Sequence, residues 1–414
     1  MLRSLAALIV LCPLASAQTT WRVATDPGPG VDFTSIQAAV DAATDGDLIL
    51  VDGGNYQETV HIAGKGLTVQ GTGSTSLFLP PEGLGGEPLL DIRDVSASQE
   101  VHFRAISLIR VTGLAGSAAH IADCDGAVWI EEIFLDTYDG HGVVVEQSGN
   151  VVLSELFIQS NAAAKDELGN AQPSHGLVVS GGSLVHAFQV SASGSHTPPL
   201  FSVNPLPAVG GSGCVATDSQ VHFHGGDLQG GSGGSFLIDG CLTAAAGGPA
   251  LETVVDLGPF TEVRLKGTQL QAGISGAADS GCAVQPPATP AIVDPGASVI
   301  SIPGSPRLLS VPSVPTALGA FELQIEGQPN EGFAVFASGG ITPGIQFINL
   351  IGQSFLDASG LFLVSVGGLD SLGFGGLVDT FDNPGPPVQV HVQAVVVDGN
   401  GLLHLTDPGT ILFP

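Results

Sequence analysis

The middle of the chain repeats one pattern of apolar and polar positions. Rows that begin at Ala119, Gly142, Gly176, Gly213 and, less regularly, Val254 each hold a short apolar strand, a polar or glycine turn, a Val-x-apolar-x strand, another turn and a third apolar strand. Polar inserts separate the later rows. Three short strands cannot bury their own apolar side, whereas stacked rows bury one continuous interior. The pattern therefore predicts parallel sheets in which each strand pairs with its counterpart in the next row.

The stretch before the rows predicts one helix and the first strands. In DFTSIQAAVDAATDGDLILVDGGNYQETVHI, residues 32–62, Thr34 and Gln37 have the spacing of a capping box, and Gly46-Asp47 ends the helix. The apolar face of this predicted helix comprises Ile36, Ala39, Val40 and Ala43. The segment LILV then predicts the first inner strand. Stacked rows would leave apolar interior and strand edges open at their end, so we predict that the helix caps that end.

These residues carry a resemblance to a known family. The rows resemble the right-handed parallel β-helix of the pectate-lyase-like superfamily, and residues 32–62 are similar to the first coil of pectin methylesterases and of many other secreted β-helix proteins. The resemblance covers roughly residues 20–300. It implies an all-β fold, and it implies binding of extended glycans along one outer sheet, as is common in that superfamily.

A second domain is predicted after a linker rich in proline, glycine and serine, SIPGSPRLLSVPSVPTALG. The segments FELQI, FAVFA, IQFINL, LFLVSV and VQVHVQAVVV follow, separated by turn residues. Short strands at such spacing predict a small antiparallel β-sandwich. It resembles the C-terminal modules of exported bacterial proteins, which serve as caps, sorting elements or binding modules. The predicted division is a β-helix over residues 18–304 and a sandwich over 305–414.

The N-terminus and the composition indicate an exported, acidic protein. MLRSLAALIVLCPLASAQ has the charged start, short apolar core and Ala-Ser-Ala site of a secretory signal peptide, predicted over residues 1–17. No later segment reaches the length of a membrane-spanning helix without Gly, Pro or charge. The net charge is −29, which disfavours nucleic acid and anionic lipid as partners. We expect a secreted or cell-surface protein, with the sandwich as a possible means of surface attachment.

Export leaves four cysteines as disulfide candidates. They are Cys124, Cys214, Cys241 and Cys282. Their spacing has no Cys-x-x-Cys pair and no matching histidine pair, which argues against zinc, whereas an oxidising compartment permits up to two disulfides. The carboxylates of Asp123 and Asp125, on either side of Cys124, are candidate calcium ligands.

The middle strand of each row predicts a ladder of outward side chains. Because side chains alternate along a strand, the two x positions of Val-x-apolar-x face away from the interior. Read row by row, the binding candidates are His102, Arg104, Trp129, His186, Phe188, His222, His224, Arg264 and Lys266. Aromatic faces stack on sugar rings, and the cations pair with carboxylates or sulfates, so one interpretation is a track for an anionic polysaccharide. The other is that exposed strands simply favour aromatic and long side chains.

The richest candidate for catalysis is the cluster EEIFLDTYDGHG. Its candidate residues are Glu131, Asp136, Asp139 and His141. A lyase would need a base and a cation, and a hydrolase would need two carboxyl groups at a suitable separation. The catalytic motifs of pectate lyases, polygalacturonases and pectin methylesterases are missing. Two functions remain: a lyase or hydrolase acting on an anionic glycan, and a non-catalytic binding or structural protein of the cell surface.

Overall fold

The computed structural model describes the larger part of the chain. The described residues are 18–78, 86–110, 116–162, 164–165, 171–196, 209–238, 241–256, 261–276, 286, 288–294, 297–302, 304–311, 320–345, 350–351, 354–358, 360–380 and 388–413. The predicted signal peptide and Cys282 lie outside them.

The chain visits three parallel sheets in the same order, A then B then C, coil after coil. Sheet A comprises β1 (Thr20–Val23), β2 (Leu48–Val51), β5 (Thr68–Gly71), β8 (Glu100–Arg104), β11 (Ala127–Glu131), β13 (Asn150–Ser154), β18 (Leu184–Phe188), β21 (Gln220–His224), β26 (Glu262–Lys266) and β29 (Ser298–Ile302). Sheet B comprises β3 (Gly54–Gln57), β6 (Thr75–Phe78), β9 (Ser107–Arg110), the first part of β12 (Phe134–Glu146), β14 (Phe157–Ala162), β19 (Ser191–Ser193), β22 (Asp227–Gln229) and β27 (Gln269–Gln271). Sheet C comprises β4 (Val60–Ala63), β7 (Leu90–Arg93), β10 (Gly116–Ala122), the second part of β12, β17 (Leu177–Ser180), β20 (Cys214–Thr217), β25 (Leu251–Val254) and β28 (Ile292–Val293).

This architecture confirms the predicted parallel β-helix. Two inserts between coils pair antiparallel, β15 (Ala164–Lys165) with β16 (Ala171–Gln172) and β23 (Ser235–Ile238) with β24 (Cys241–Ala244). The last row is predicted to begin at Val254. Its sheet C strand, β25, instead ends at that residue.

Identical apolar side chains stack along the interior. On sheet A the paired inward residues are Val101, Val128, Val151, Val185, Val221 and Val263, all fully buried. Valine suits a pleated surface because its branched side chain packs well against strand neighbours. At roughly 25 cal/mol per Å² of apolar surface removed from water, this continuous column contributes stability that no single row could supply.

The corner between sheets A and B has a left-handed residue in six successive coils, from β8 to β26. After β8, β11, β13 and β18 the residues at this corner are Ala105, Glu132, Glu155 and Gln189, with φ between 51° and 56°. Glycines take the same position after β21 and β26, as Gly225 at 75° and Gly267 at 67°. A non-glycine residue pays roughly 1–2 kcal/mol in this conformation, so the coil geometry, rather than local preference, fixes these corners.

The helix α1 (Ile36–Ala42) begins one residue later than the capping-box prediction required. Its N-cap is Ser35, whose Oγ accepts the N–H of Ala38 at 3.2 Å. Glu58, from the segment between β3 and β4, supplies the rest of the cap by accepting the N–H groups of Ile36 at 2.7 Å and Gln37 at 3.0 Å. Thr34 is therefore not the cap. The predicted apolar face is confirmed, since it packs into the core at the start of the β-helix.

The C-terminal part forms two mainly antiparallel sheets around a separate core. One sheet has β30 (Leu308–Ser310), β31 (Ala320–Glu326) and β37 (Phe374–Thr380), and the other has β32 (Gly332–Ser338), β34 (Leu350–Ile351), β36 (Phe362–Gly368), β38 (Val388–Val397) and β39 (Leu403–Phe413). A short hairpin pairs β33 (Ile341–Ile345) with β35 (Ser354–Leu356). Apolar side chains of both main sheets meet in one cluster, as a sandwich requires. The last strand of sheet A ends at Ile302 and the first sandwich strand begins at Leu308.

Two of the four cysteines do not form the predicted disulfides. Cys124 and Cys214 are free and fully buried in the β-helix core. Burial raises the pKa of both thiols, which keeps them protonated and unreactive. Cys241 begins β24, but its side chain is outside the described part, as is Cys282. No helix among the described residues has both the length and the apolarity needed to cross a lipid bilayer.

Candidate functional site

The predicted register of the sheet A ladder is confirmed. His102 pairs with Trp129, Trp129 with Val152, Val152 with His186 and His186 with His222. The same rows align through His222 with Arg264 and through His224 with Lys266. These side chains therefore lie side by side on the outer face of sheet A, as the alternation of the strands requires.

The sandwich covers most of this face, although the Arg264 side chain stays one-third exposed. The His391 ring of β38 stacks on the His102 ring at 5.5 Å between centroids, and it lies 6.0 Å from the ring of Trp129. Arg104 donates from Nη1 to the backbone oxygen of Thr410 in β39 at 3.0 Å. The expectation that the ladder is an open track is wrong, since a polysaccharide cannot reach side chains beneath a packed domain.

Phe355 of β35 is the apolar anchor of this interface. Its ring packs edge-on against Trp129, His186 and Phe188, with centroids 5.0–6.1 Å apart. Trp129 is completely buried. Aromatic side chains are common hot spots of protein interfaces. The ladder therefore docks one domain on the other, and a binding role for His102, Arg104, Trp129, His186, Phe188, His222, His224, Arg264 or Lys266 stays a prediction that would require the sandwich to move.

The cations predicted to hold an anionic polymer are occupied by protein groups. Arg104 donates from Nη2 to Glu132 Oε1 at 3.2 Å. Arg264 donates from Nε to Glu262 Oε1 at 2.7 Å. Lys266 is buried, which together with the nearby Arg307 lowers its pKa to about 8. Among the described residues of this face, these three cations therefore do not form a positively charged track that is open to solvent.

The four catalytic candidates do not converge. Glu131 lies on sheet A beneath the sandwich, with Oε2 3.7 Å from Arg104 Nε. Burial favours its neutral form, yet Arg104 and His102 lower its pKa overall. Asp136 lies on sheet B, around the corner, and the backbone of Asp139 pairs there with Ala162, its side chain being outside the described part. A shared catalytic centre of these residues stays a prediction, and their separation on two sheets argues against it.

The fourth candidate, His141, belongs to a stack of histidines that receives backbone N–H groups. Its ring lies parallel to that of His175 in the next coil, at 5.2 Å. His141 Nδ1 accepts the N–H of His175 at 3.0 Å, and His175 Nδ1 accepts the N–H of Ser212 at 2.9 Å. A nitrogen that accepts must be unprotonated. Burial lowers the pKa of both rings to about 4, with the proximity of His175 adding to the effect on His141.

An open groove lies instead on sheet B. It has a volume of about 590 Å³ and follows the outer faces of β14, β19, β22 and β27. Register places its side chains in two columns, one of Phe157, Ser191, Asp227 and Gln269 and the other of Gln159, Ser193, Gln229 and Gln271. Ser191 and Ser193, both in β19, have short side chains. The floor of the groove is therefore lower at this strand than at the flanking glutamines and phenylalanine.

The columns continue into an aromatic platform on β12. Phe134 pairs with Phe157, and their rings stack at 5.6 Å with only 11° between planes, although both are exposed. Tyr138, on the same face of β12, is also exposed. Stacked aromatic rings held on strands present a flat apolar surface to solvent. Such a surface beside a polar groove has the character of a binding site.

Asp136 lies within this platform. It accepts a hydrogen bond from the amide of Asn161, and Gln159 donates to Asn161 Oδ1 at 2.7 Å. Burial raises the pKa of Asp136, while the Asn161 bond opposes that rise. The amide and carboxylate groups are thus held in fixed positions beside the rings. The sequence could have indicated this surface, because outward and inward side chains alternate along the third strand of each row in the same way as along the second strand.

The calcium candidates are not gathered into a site. Asp123 and Asp125 are exposed in the turn after β10. In the part of the chain that the structure describes, no third carboxylate, histidine or cysteine joins them closely enough to hold an ion with them. Calcium binding there stays a prediction.

No family model matches the chain, and no curated protein does. Among solved structures, it is similar to a pectin methylesterase in complex with a hexasaccharide, at 12% identity and a TM-score of 0.37, over 70% of this chain and 94% of that one. It is similar to the enzymatically active domain of bacteriophage CBA120 tailspike protein 4, at 11% identity and a TM-score of 0.28, over 91% of this chain and 65% of that one. The strand pairing of the chain itself establishes the fold. The protein is a parallel β-helix with a helical N-terminal cap and a C-terminal antiparallel β-sandwich.

Proposed function

We propose that the protein is a secreted glycan-binding protein that holds an extended, uncharged polysaccharide along sheet B. The observation that carries the proposal is the continuous outer surface from Phe134 to Gln271, in which stacked exposed rings adjoin two columns of amide, hydroxyl and carboxylate groups. Aromatic faces pack on the C–H faces of sugar rings, while amides and carboxylates bond to their hydroxyl groups. A regular ladder suits a ligand that is itself a repeat.

The charges of this surface favour an uncharged polymer over an anionic one. Among the described residues, those lining the groove include Asp227 and no lysine or arginine, and Asp136 lies on the adjoining platform. An anionic polysaccharide would also approach a chain of net charge −29 against a general repulsion. Sugar hydroxyl groups have no such penalty, and two or three fixed acceptors are enough to orient them.

Binding without cleavage is the activity that fits this surface. Asp136 and Asp227 lie three strands apart on sheet B, in β12 and β22. At about 4.8 Å per strand their coils are separated by about 14 Å. The carboxyl groups of glycosidases lie about 5–5.5 Å apart in retaining enzymes and about 6.5–9.5 Å apart in inverting ones. These two carboxylates are therefore too far apart to act as such a pair.

The test is affinity electrophoresis of the mature chain through gels that contain uncharged polysaccharides, such as xylan, glucomannan, mixed-linkage glucan and dextran. At least one polymer should retard the wild-type chain. Phe157→Ala should weaken that retardation by about two- to tenfold, since the packing of such a ring contributes roughly 0.5–1.5 kcal/mol beyond its buried area. Phe134→Ala should act in the same direction.

The matched control is Phe374→Ala in the sandwich. Phe374 and Phe157 are each 50% exposed, so both changes remove the same group from a solvent-facing strand. Phe374→Ala should leave retardation unchanged. Equal loss in both variants, or retardation by pectate or alginate only, would contradict the proposal.

A further inference from the structure

Three metal-ligating side chains meet where the sandwich docks on sheet A, apart from the sheet B surface. They are Glu100 and His102 from β8 and His391 from β38, and their nearest ligand atoms all lie within 4.8 Å of one another. Both histidines are buried. Two domains therefore contribute to one cluster, although their ligands are almost 300 positions apart in the sequence.

The distances are close to those of an occupied tetrahedral site. Glu100 Oε2 lies 3.7 Å from His102 Nε2 and 3.8 Å from His391 Nε2. Metal–ligand bonds of about 2.0–2.1 Å at tetrahedral angles put ligand atoms about 3.4 Å apart. Rotamer adjustments of a few tenths of an ångström bring the two carboxylate distances to this value, and the histidine nitrogens already lie within 4.8 Å of each other.

The other ring nitrogen of each histidine faces a polar side chain. His391 Nδ1 bonds to Thr410 Oγ1 at 3.1 Å, which holds the ring with Nε2 directed at the cluster. His102 Nδ1 is buried without a hydrogen-bond partner, and Glu131 Oε2 lies 4.0 Å from it. A carboxylate behind the free nitrogen of a ligating histidine is the common outer-shell partner in zinc proteins. The buried Glu131, which takes no part in the sheet B surface, would then be this outer-shell carboxylate.

A fourth ligand is within reach. The side-chain amide of Gln389 lies with its nitrogen 2.9 Å from His102 Nε2 and its oxygen bonded to Thr68 Oγ1 at 3.0 Å. Turning the amide over directs Oε1 at the same point and Nε2 at the threonine hydroxyl, which can accept it. Two imidazoles, one carboxylate and one amide oxygen form a set of nitrogen and oxygen ligands that zinc accepts.

From this geometry we infer that Glu100, His102 and His391, completed by Gln389, form a structural zinc site that fastens the sandwich to the β-helix. Binding energy then contributes directly to domain docking, because the site exists only when both domains are in place. The cysteine spacing gave no sign of zinc, since none of these ligands is a cysteine and the site is assembled by tertiary packing.

The test measures zinc in the full mature chain. The protein is stripped with a chelator, incubated with zinc chloride, passed through a desalting column and measured for metal content. The wild-type chain should retain one zinc per molecule, and zinc should raise its thermal midpoint. Glu100→Gln and His102→Gln should each weaken zinc binding by about tenfold or more, compared with the 10–100-fold losses caused by changing outer-shell partners alone.

Two variants keep the result interpretable. His222→Gln changes a buried histidine on the same face of sheet A, two paired strands beyond β13, and should retain the metal. Glu100→Gln is isosteric and its side chain is one-third exposed, so the variant should fold even if His391→Ala does not. Wild-type chain that retains no zinc, Glu100→Gln that binds it as tightly as wild type, or His222→Gln that loses it equally, would each overturn the inference.

Discussion

At the scale of single residues, histidine has two uses in this chain. His141 and His175 are neutral acceptors of backbone N–H groups from the following coil, while His102 and His391 lie between the two domains. The same residue type thus closes a coil corner in one place and docks a domain in another. Sequence alone could not separate these uses, because the acceptor role depends on which coil lies next to the ring.

The paired rings predict a loss of stability in acid. His141 and His175 have folded pKa values of about 4 against 6.5 for the ordinary residue. Between pH 6.5 and 4 the unfolded chain binds more protons, so their contribution to the free energy of unfolding falls as the pH drops and levels off below about 4. His141→Asn, whose Oδ1 can still accept the N–H but does not titrate, should flatten this slope in urea unfolding measured from pH 7 to 4.

The control for that experiment is His196→Asn. His196 Nδ1 accepts the N–H of Ser232 at 3.0 Å, but the ring is exposed. His196→Asn makes the same exchange at the surface, so the flattening expected of His141→Asn is measured relative to this variant. If His141→Asn also leaves the slope unchanged, the ring is not held neutral in the folded protein.

At the scale of elements, the ends of the β-helix are governed by contacts from distant segments. The helix α1 is only 7 residues long and has no acidic residue in its first turn. A helix this short is unstable alone. Glu58, which lies outside the helix in the sequence, supplies the missing negative charge. Its carboxylate accepts hydrogen bonds from the first N–H groups of the helix and from the Ser35 hydroxyl, the latter at 2.6 Å. The cap is therefore tertiary, which is why the local pattern misplaced it.

Removal of that carboxylate should weaken the whole N-terminal end. We expect Glu58→Ala to lower the free energy of unfolding by about 1–2 kcal/mol, because two N–H donors at the helix start lose their charged acceptor. Glu322→Ala, at an exposed position in β31, should stay within about 0.5 kcal/mol of wild type. Chemical denaturation followed by far-ultraviolet circular dichroism would measure both, and equal effects would remove Glu58 from its capping role.

At the scale of the whole molecule, the sandwich determines which outer face is open. The row pattern predicted the coils, the helix that closes the N-terminal end of the β-helix, and the register from His102 to Lys266. Local alternation of side chains and the stacking of coils determine all three. It could not predict that Phe355 and His391 bury that ladder, since nothing in the rows encodes the docking of a separate domain. The predicted binding ladder is consequently covered by the sandwich, whereas the same alternation in the third strands gives the side chains of the open sheet B.

This arrangement predicts a structural effect for Trp129, one of the aromatic side chains of the predicted binding ladder. Trp129→Ala should lower the free energy of unfolding by about 3–5 kcal/mol, because it leaves a cavity against Phe355 and Phe188. Glycan retardation of the folded fraction should stay as in wild type. Loss of retardation with unchanged stability would return the binding site to sheet A.

The most direct test of the central claim is hydroxyl-radical footprinting of the mature chain, with and without a retarding polysaccharide. In the free chain, Phe134, Tyr138 and Phe157 should be oxidised readily, while the buried Trp129 and Phe188 should be protected. Addition of the glycan should reduce oxidation at the three sheet B rings and leave the other two unchanged. Oxidation of Trp129 and Phe188 in the free chain, and their protection by the glycan with no change on sheet B, would contradict the account.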